Sequence, residues 1–183
     1  YFIFPLQGGQ TVPVQNPYAY GNAWFVDKVT YANNANEEID EVGKLNLRHE
    51  AVADAKFKEQ LGQSVPQDDT SMVKMIQYKP NNVTYEVKSS KGGVIVFSEI
   101  YYPGWTATVD GQPAELGRVN YILRALNVKP GSHKVVLDFH PSSLKKTETV
   151  AYIGYVVLLL LLFVGIGVEW KKKKAELWIL ERK

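Results

Sequence analysis

The sequence predicts a mainly β protein: an antiparallel β-sandwich, immunoglobulin-like or jelly-roll, with short N-terminal helices, followed by one C-terminal transmembrane α-helix. Two observations predict the sandwich. From Met72 onward, β-branched and aromatic runs alternate with Pro, Gly and Asn turns roughly every 8 to 12 residues. Within them, Val83, Tyr85 and Val87 alternate with Thr84, Glu86 and Lys88, the period-2 pattern of a half-buried strand. The third observation predicts the membrane helix. Val150 to Val168 runs 19 residues without a charge, and a helix of that length covers about 28 Å, close to the ~30 Å hydrocarbon thickness of a bilayer.

In order, YFIFPLQ closed by Gly8-Gly9 reads as a short buried strand ending in a turn, and Thr11 to Tyr20, rich in Pro, Asn and Gln, as irregular. AWFVDKVTY, residues 23 to 31, reads as one strand. Asn36 ahead of Glu37, Glu38, Asp40 and Glu41 predicts an N-cap and an acidic first turn, with Gly43 ending the helix. Leu45 to Val52 fits either state, Asp54 to Leu61 reads as a second short helix, and Gly62 to Ser71 as a polar linker. The strands that follow are MVKMIQY, then NVTYEVK after the turn Lys79-Pro80-Asn81-Asn82, then GVIVFSEIYY, which is apolar on both faces as a central strand should be. Trp105 to Val109 and Gln112 to Leu116 flank a hairpin turn at Asp110-Gly111, and VNYILRAL and HKVVLDFH complete the set. The predicted organisation is an N-terminal α+β part over 1–71, sandwich strands over 72–147, the membrane helix over 148–170 and a basic tail over 171–183.

A charged block, Lys171 to Lys174, follows the apolar run directly, and Tyr152, Tyr155 and Trp170 lie where amphipathic rings favour the two lipid interfaces. A buried core helix, the alternative, rarely runs this long without a polar position. Lys145 and Lys146 on the other flank are fewer and partly offset by Glu148, so the positive-inside bias at the bacterial cytoplasmic membrane places the tail in the cytoplasm and residues 1–149 on the extracytoplasmic side. The soluble part carries 15 Lys+Arg against 16 Asp+Glu, and the part after the span 6 against 3. The net +2 is therefore a property of the tail, and no basic surface for nucleic acid is indicated. The absence of cysteine excludes disulfides, thiolate metal sites and thiol catalysis. The chain opens at Tyr1 without an initiator Met or a signal peptide, from which the expectation is that upstream transmembrane helices of the same polypeptide deliver residue 1 to the outside.

No phosphate loop, nucleophile elbow or zincin helix occurs, and His49, His133 and His140 lack a metal-ligand spacing, so no cofactor is expected. The Asn82-Val83-Thr84 sequon coincides with a turn. The densest candidate site is the corner FSEIYYPGW, where Glu99, Tyr101, Tyr102 and Trp105 join Tyr121 and Arg124 of a nearby strand. An exposed ring beside a carboxylate and a guanidinium suits a sugar, whose C–H faces stack and whose hydroxyls hydrogen-bond. The alternative is structural: aromatic plugs at a Pro-Gly corner and a cross-strand Glu99–Arg124 ion pair.

The segments VPVQNPYAYGNAWFV, NANEEID, IVFSEIYYPGWTATVDGQPAE and RVNYILRALNVKPGSHKV, with the final hydrophobic helix, resemble the C-terminal portion of the bacterial YfhO family of polytopic membrane proteins. The resemblance covers nearly all of residues 1–168. It implies a glycosyltransferase of the GT-C class, with an extracytoplasmic active site and a polyprenyl-phosphate-linked sugar donor, transferring sugar to cell-envelope polymers. In that class the catalytic carboxylate lies in an early loop with no counterpart here, so the resemblance transfers no catalytic residue to this sequence. It implies an extracytoplasmic domain and the last helix of a bundle, in which Gly154, Gly165 and Gly167 allow close packing. The expected partners are the lipid bilayer, upstream helices and a cell-envelope glycan. Two other readings are a purely structural or partner-binding module and the ectodomain of a single-pass receptor.

Overall fold

The computed structural model describes residues 1–6 and 8–180. Gln7 of the first run and residues 181–183 of the predicted basic tail lie outside the described residues. Strands β1 (Phe2–Pro5) and β2 (Thr11–Val14) form an isolated antiparallel hairpin. The strand expected to be buried is exposed over Phe2–Pro5, Ile3 to 73%, because among the described residues no second layer covers the two-stranded sheet, and β2 occupies part of the stretch expected to be irregular.

Asp27 breaks the expected single strand into β3 (Ala23–Val26) and β4 (Lys28–Ala32). The backbone N–H groups of Asp27 and Lys28 both turn to the carbonyl of His49, so the two halves join different sheets. Helix α1 (Ala35–Val42) starts earlier than expected: Asn34 is the N-cap, its side chain accepting from Glu37 N at 3.0 Å, while the Glu37 carboxylate accepts from Asn33 N at 2.9 Å. Strand β5 (Glu50–Asp54) pairs in parallel with β4, with α1 as the connection. Asp54 then caps a 3-10 turn over Ala55–Phe57 that leads into α2 (Lys58–Leu61).

The sandwich follows from β6 (Met72–Lys79), β7 (Asn82–Ser89), β8 (Gly93–Ile100), β9 (Trp105–Val109), β10 (Gln112–Ala114), β11 (Gly117–Val119), β12 (Leu123–Val128) and β13 (Gly131–Phe139). A five-stranded antiparallel sheet, β10-β9-β13-β7-β6, faces a four-stranded one, β11-β12-β8-β3. Between them lies a core of Val83, Tyr85 and Val87 from one sheet, Ile95, Phe97 and Leu126 from the other, and their neighbours. The odd positions Ile95 and Phe97 of β8 enter this core. The even positions Val94 and Val96 enter a second core on the opposite face with Val26, Ala51, Ala53, Phe57 and Leu61. A strand apolar on both faces is thereby explained by a third layer, built from β4, β5, α1 and α2. Gly117 lets that layer close, since a Cβ there would lie 2.6 Å from Leu61 Cγ.

At Asp110 (φ +52) and Gly111 (φ +80) the chain makes the expected two-residue hairpin. The stretch expected as the strand VNYILRAL is instead a second hairpin, β11–β12, turning at Asn120 (φ +50) and Tyr121 (φ +70). Bonds from two other elements hold that turn: Asn120 N donates to the Val52 carbonyl at 2.6 Å, Asn120 Oδ1 accepts from Val52 N at 3.0 Å, and Glu38 Oε1 accepts from Tyr121 N at 2.9 Å.

The chain divides into two units, Tyr1–His140 and Pro141–Lys183. The second is helix α3 (Ser142–Leu180), which extends beyond the apolar run at both ends. Its candidate membrane span, Thr147–Lys174, has a mean hydropathy of 2.5 over its most apolar window, none of which is buried. Its 28 residues extend roughly 42 Å, the thickness of a bilayer with its headgroups.

Candidate functional site

The six residues of the predicted corner divide into three environments. Glu99, Trp105 and Arg124 come together through a bulge: Leu123 faces Ile100 while Arg124 faces Phe97, so Ser98 and Glu99 bow out of β8. The bulge turns the Glu99 carboxylate onto Arg124, and the two form an ion pair. The Arg124 guanidinium is 2% exposed and lies 4.0 Å from the centre of the Trp105 ring across the sandwich. Its Nε and Nη1 have no hydrogen-bond partner among the described residues, and burial lowers its pKa. The neighbouring Tyr85 hydroxyl is likewise unpartnered, with its pKa raised by burial.

Trp105 packs on Phe139 at 5.2 Å, and Phe139 in turn on Tyr102 at 6.2 Å. Tyr102 is 60% exposed, so an aromatic row runs from the surface to the buried Arg124. Tyr101 points the other way, edge-on to Phe57 in the second core. Tyr121 lies beside Arg118, 5.3 Å from its guanidinium carbon. The corner therefore offers a ligand the Tyr102 ring, the partly exposed Trp105 and the Glu99 carboxylate, while Arg124 is buried behind its ion pair with Glu99.

A second site escaped sequence reasoning. A groove of about 480 Å³, within the range of small-ligand clefts, lies where β3, the Arg48-His49 segment and the 67–71 loop meet. Asp27, at the β3–β4 break, accepts from Gln67 N at 2.9 Å and sits 2.7 Å from His49 Nδ1. His49 remains largely exposed. Trp24 donates Nε1–H to the Leu47 carbonyl at 3.0 Å, and the Tyr20 ring packs between Trp24, at 5.1 Å, and Arg48, at 4.8 Å.

The expected polar linker is the ordered wall of this groove. Asp68 accepts from the Ser90 hydroxyl and from Thr70 Oγ1 at 2.6 Å, and these bonds hold its carboxyl far below the usual carboxylate range. Gln67 bridges to the β7–β8 turn through Ser89 Oγ at 2.7 Å and the Gly92 carbonyl at 2.8 Å. The Ser71 hydroxyl is engaged with Gln67 and Asp68, so these groups brace the wall, and Arg48, His49 and Asp69 are the charged and polar side chains of the lining that can meet a polar ligand. Asp27, Arg48, His49, Asp68 and Asp69 come from three separate segments. The one hint in the sequence is a charged residue interrupting AWFVDKVTY. Among the described residues, no three His, Cys, Asp or Glu side chains cluster as metal ligands.

Comparison with known proteins gives one result. A family model described as bacterial membrane protein YfhO matches residues 26–151, from the end of β3 through the sandwich into α3. The matched stretch includes the corner and most of the groove. No curated protein and no solved structure matches the chain. The match extends over more than half of the sequence and agrees with the apolar helix that follows the sandwich: the chain belongs to the YfhO family of bacterial membrane proteins.

Proposed function

We propose that the chain is the non-catalytic, extracytoplasmic C-terminal domain and last membrane helix of a GT-C-like glycosyltransferase, and that the domain contacts the acceptor glycan during cell-envelope glycosylation. The parent enzyme uses a polyprenyl-phosphate-linked sugar and carries its catalytic carboxylate upstream of this chain. Sidedness rests on the Lys171–Lys174 block, which favours a cytoplasmic tail. The GT-C assignment rests on the sequence resemblance alone.

The observation that carries the glycan contact is the groove. Sugars are bound by a ring that stacks on their C–H face together with charged and amide groups that satisfy their hydroxyls. Here Trp24 and Phe25 supply apolar wall, and Arg48, His49 and Asp69 supply donors and acceptors over a volume large enough for one or two sugar rings, with Asp68 bracing the wall. The corner of Glu99, Tyr102 and Trp105 offers a second, shallower contact, in which Tyr102 is the stacking ring. Arg124 sets the Glu99 carboxylate there, and Tyr101 and Tyr121 support the flanking elements.

Glycan-array binding by the full chain in nanodiscs tests this reading. Arg48→Ala and Asp69→Ala each remove a groove-lining side chain, and a loss of about tenfold in affinity for a cell-envelope glycan, roughly 1.4 kcal/mol, is expected. Tyr102→Ala is expected to weaken binding less. No binding to any envelope glycan, or binding indifferent to both groove variants, contradicts the assignment and favours a purely structural module.

A further inference from the structure

The β1–β2 hairpin is the least explained element of the fold. All eight of its strand residues are exposed, and both cores are built without it. Its register places Phe2 opposite Val14 and Phe4 opposite Val12, so one face carries four apolar side chains, while Ile3, Pro5 and Pro13 lie on the other. The Phe2 and Phe4 rings are 6.1 Å apart. Leu6 is half-exposed, and Tyr1 and Tyr18 are exposed to 85% and 77%. A two-stranded hairpin with nothing packed on it is marginal in water, and a contiguous apolar patch of this kind marks a surface that something covers.

What covers it is indicated by charge. From Tyr1 to Val26 there is no Asp, Glu, Lys, Arg or His, whereas charged residues recur throughout the rest of the sandwich unit. A protein partner's polar rim or a solvated edge would favour charged positions, and natural edge strands use them to block further pairing. A stretch that combines Phe, Ile, Leu and Val with several Tyr, and has no charge to desolvate, matches the lipid–water interface instead. The hairpin's internal ladder satisfies half of its backbone groups, and its open edges need water, so the interface rather than the hydrocarbon centre is the compatible depth. The same chain carries a membrane span and belongs to a membrane-protein family, so a bilayer surface is its ordinary surroundings.

We infer that the β1–β2 hairpin inserts its apolar side chains into the interfacial layer of the bilayer, as a second membrane contact besides α3. This contact does not depend on glycan binding, and its test reads neither glycan nor activity.

The absence of cysteine allows single reporters: Ile3→Cys and Phe4→Cys on opposite faces of the hairpin, and Ser90→Cys in the β7–β8 turn as an aqueous control. Each variant of the full chain is spin-labelled in vesicles of phosphatidylethanolamine and phosphatidylglycerol, and collision with oxygen is compared with collision with a water-soluble nickel chelate. The expected result is an oxygen-to-nickel ratio several-fold higher at Ile3 or Phe4 than at Ser90. That ratio is expected to fall when Phe2 and Val14 are both replaced by Ser, with the thermal unfolding of the sandwich unchanged. A ratio at both hairpin positions equal to that at Ser90 overturns the inference by placing the hairpin in water. Low accessibility to both reagents overturns it too, because another protein surface then covers the hairpin.

Discussion

Glu38 is the most consequential single carboxylate in the fold. It is fully buried, accepts from Arg118 Nη2 at 2.6 Å and from Tyr121 N at 2.9 Å, and so fastens α1 to the tip of the β11–β12 hairpin. The Tyr121 bond matters because that residue holds φ +70, a conformation a bulky side chain adopts only when its surroundings fix it. Removing one partner of a buried pair leaves the other uncompensated, so Glu38→Ala is expected to cost about 3–5 kcal/mol. Glu38→Gln, which keeps an acceptor for Tyr121 N, is expected to cost less. Denaturant unfolding of the two variants measures the difference. The sequence shows Glu37 and Glu38 only as two acids in a first helical turn. Glu37 caps the helix through Asn33 and Asn34 close by in sequence, but the burial of Glu38 under a hairpin depends on a contact 80 residues away, which periodicity does not encode.

At the scale of elements, the β9–β10 hairpin and β13 are joined by His133 and Asp110, whose Nδ1 and Oδ2 lie 2.7 Å apart. His133 Nε2 also reaches the Lys129 carbonyl at 3.1 Å, so the protonated ring donates on both sides. The hydrogen bond to Asp110 raises the His133 pKa above its ordinary 6.5, and the bonds from His133 and Lys134 N lower that of Asp110 below 3.8. A raised histidine stabilises the fold fully below its unfolded value and loses this as pH rises through the folded one. A lowered aspartate stabilises fully above its unfolded value and loses this as pH falls through the folded one. The pair therefore contributes most between pH 3.8 and 6.5. Melting of the full chain in detergent from about pH 5 to 8 is expected to show the wild type losing stability relative to His133→Gln as pH rises. Parallel curves contradict the assignment.

The same hairpin shows what local sequence can carry. Asp-Gly between alternating strands specifies its turn without reference to anything distant. The turn at Asn120–Tyr121 has no such signature, because a Tyr at positive φ is imposed by Glu38 and Val52 from other elements. For the same reason AWFVDKVTY reads as one strand: the residue that splits it, Asp27, does so by binding His49 and Gln67 across the fold. Of the six corner residues, Glu99, Trp105 and Arg124 come together while Tyr101 and Tyr121 face other elements, and the bulge at Ser98–Glu99 that orients Glu99 was not legible. Of the groove the sequence shows only the charged interruption of AWFVDKVTY, because its lining comes from separate segments.

In the whole molecule, the two units rest on different physics. A domain with two cores and three layers packs itself, and its sandwich was readable because the strand period and the turn residues agree. Helix α3 is apolar all round over its central turns with no side buried, which only lipid or other helices satisfy. Between them they make a membrane protein whose unit Tyr1–His140 holds every polar site described above. Its proposed part in glycan transfer requires that unit to face away from the cytoplasm. The most direct test is thiol labelling in intact cells with a membrane-impermeant maleimide, comparing Ser90→Cys in the sandwich with Lys183→Cys in the tail. Labelling of Ser90→Cys in intact cells, and of Lys183→Cys only after permeabilisation, is the predicted result. The reverse pattern places the sandwich in the cytoplasm and contradicts the account.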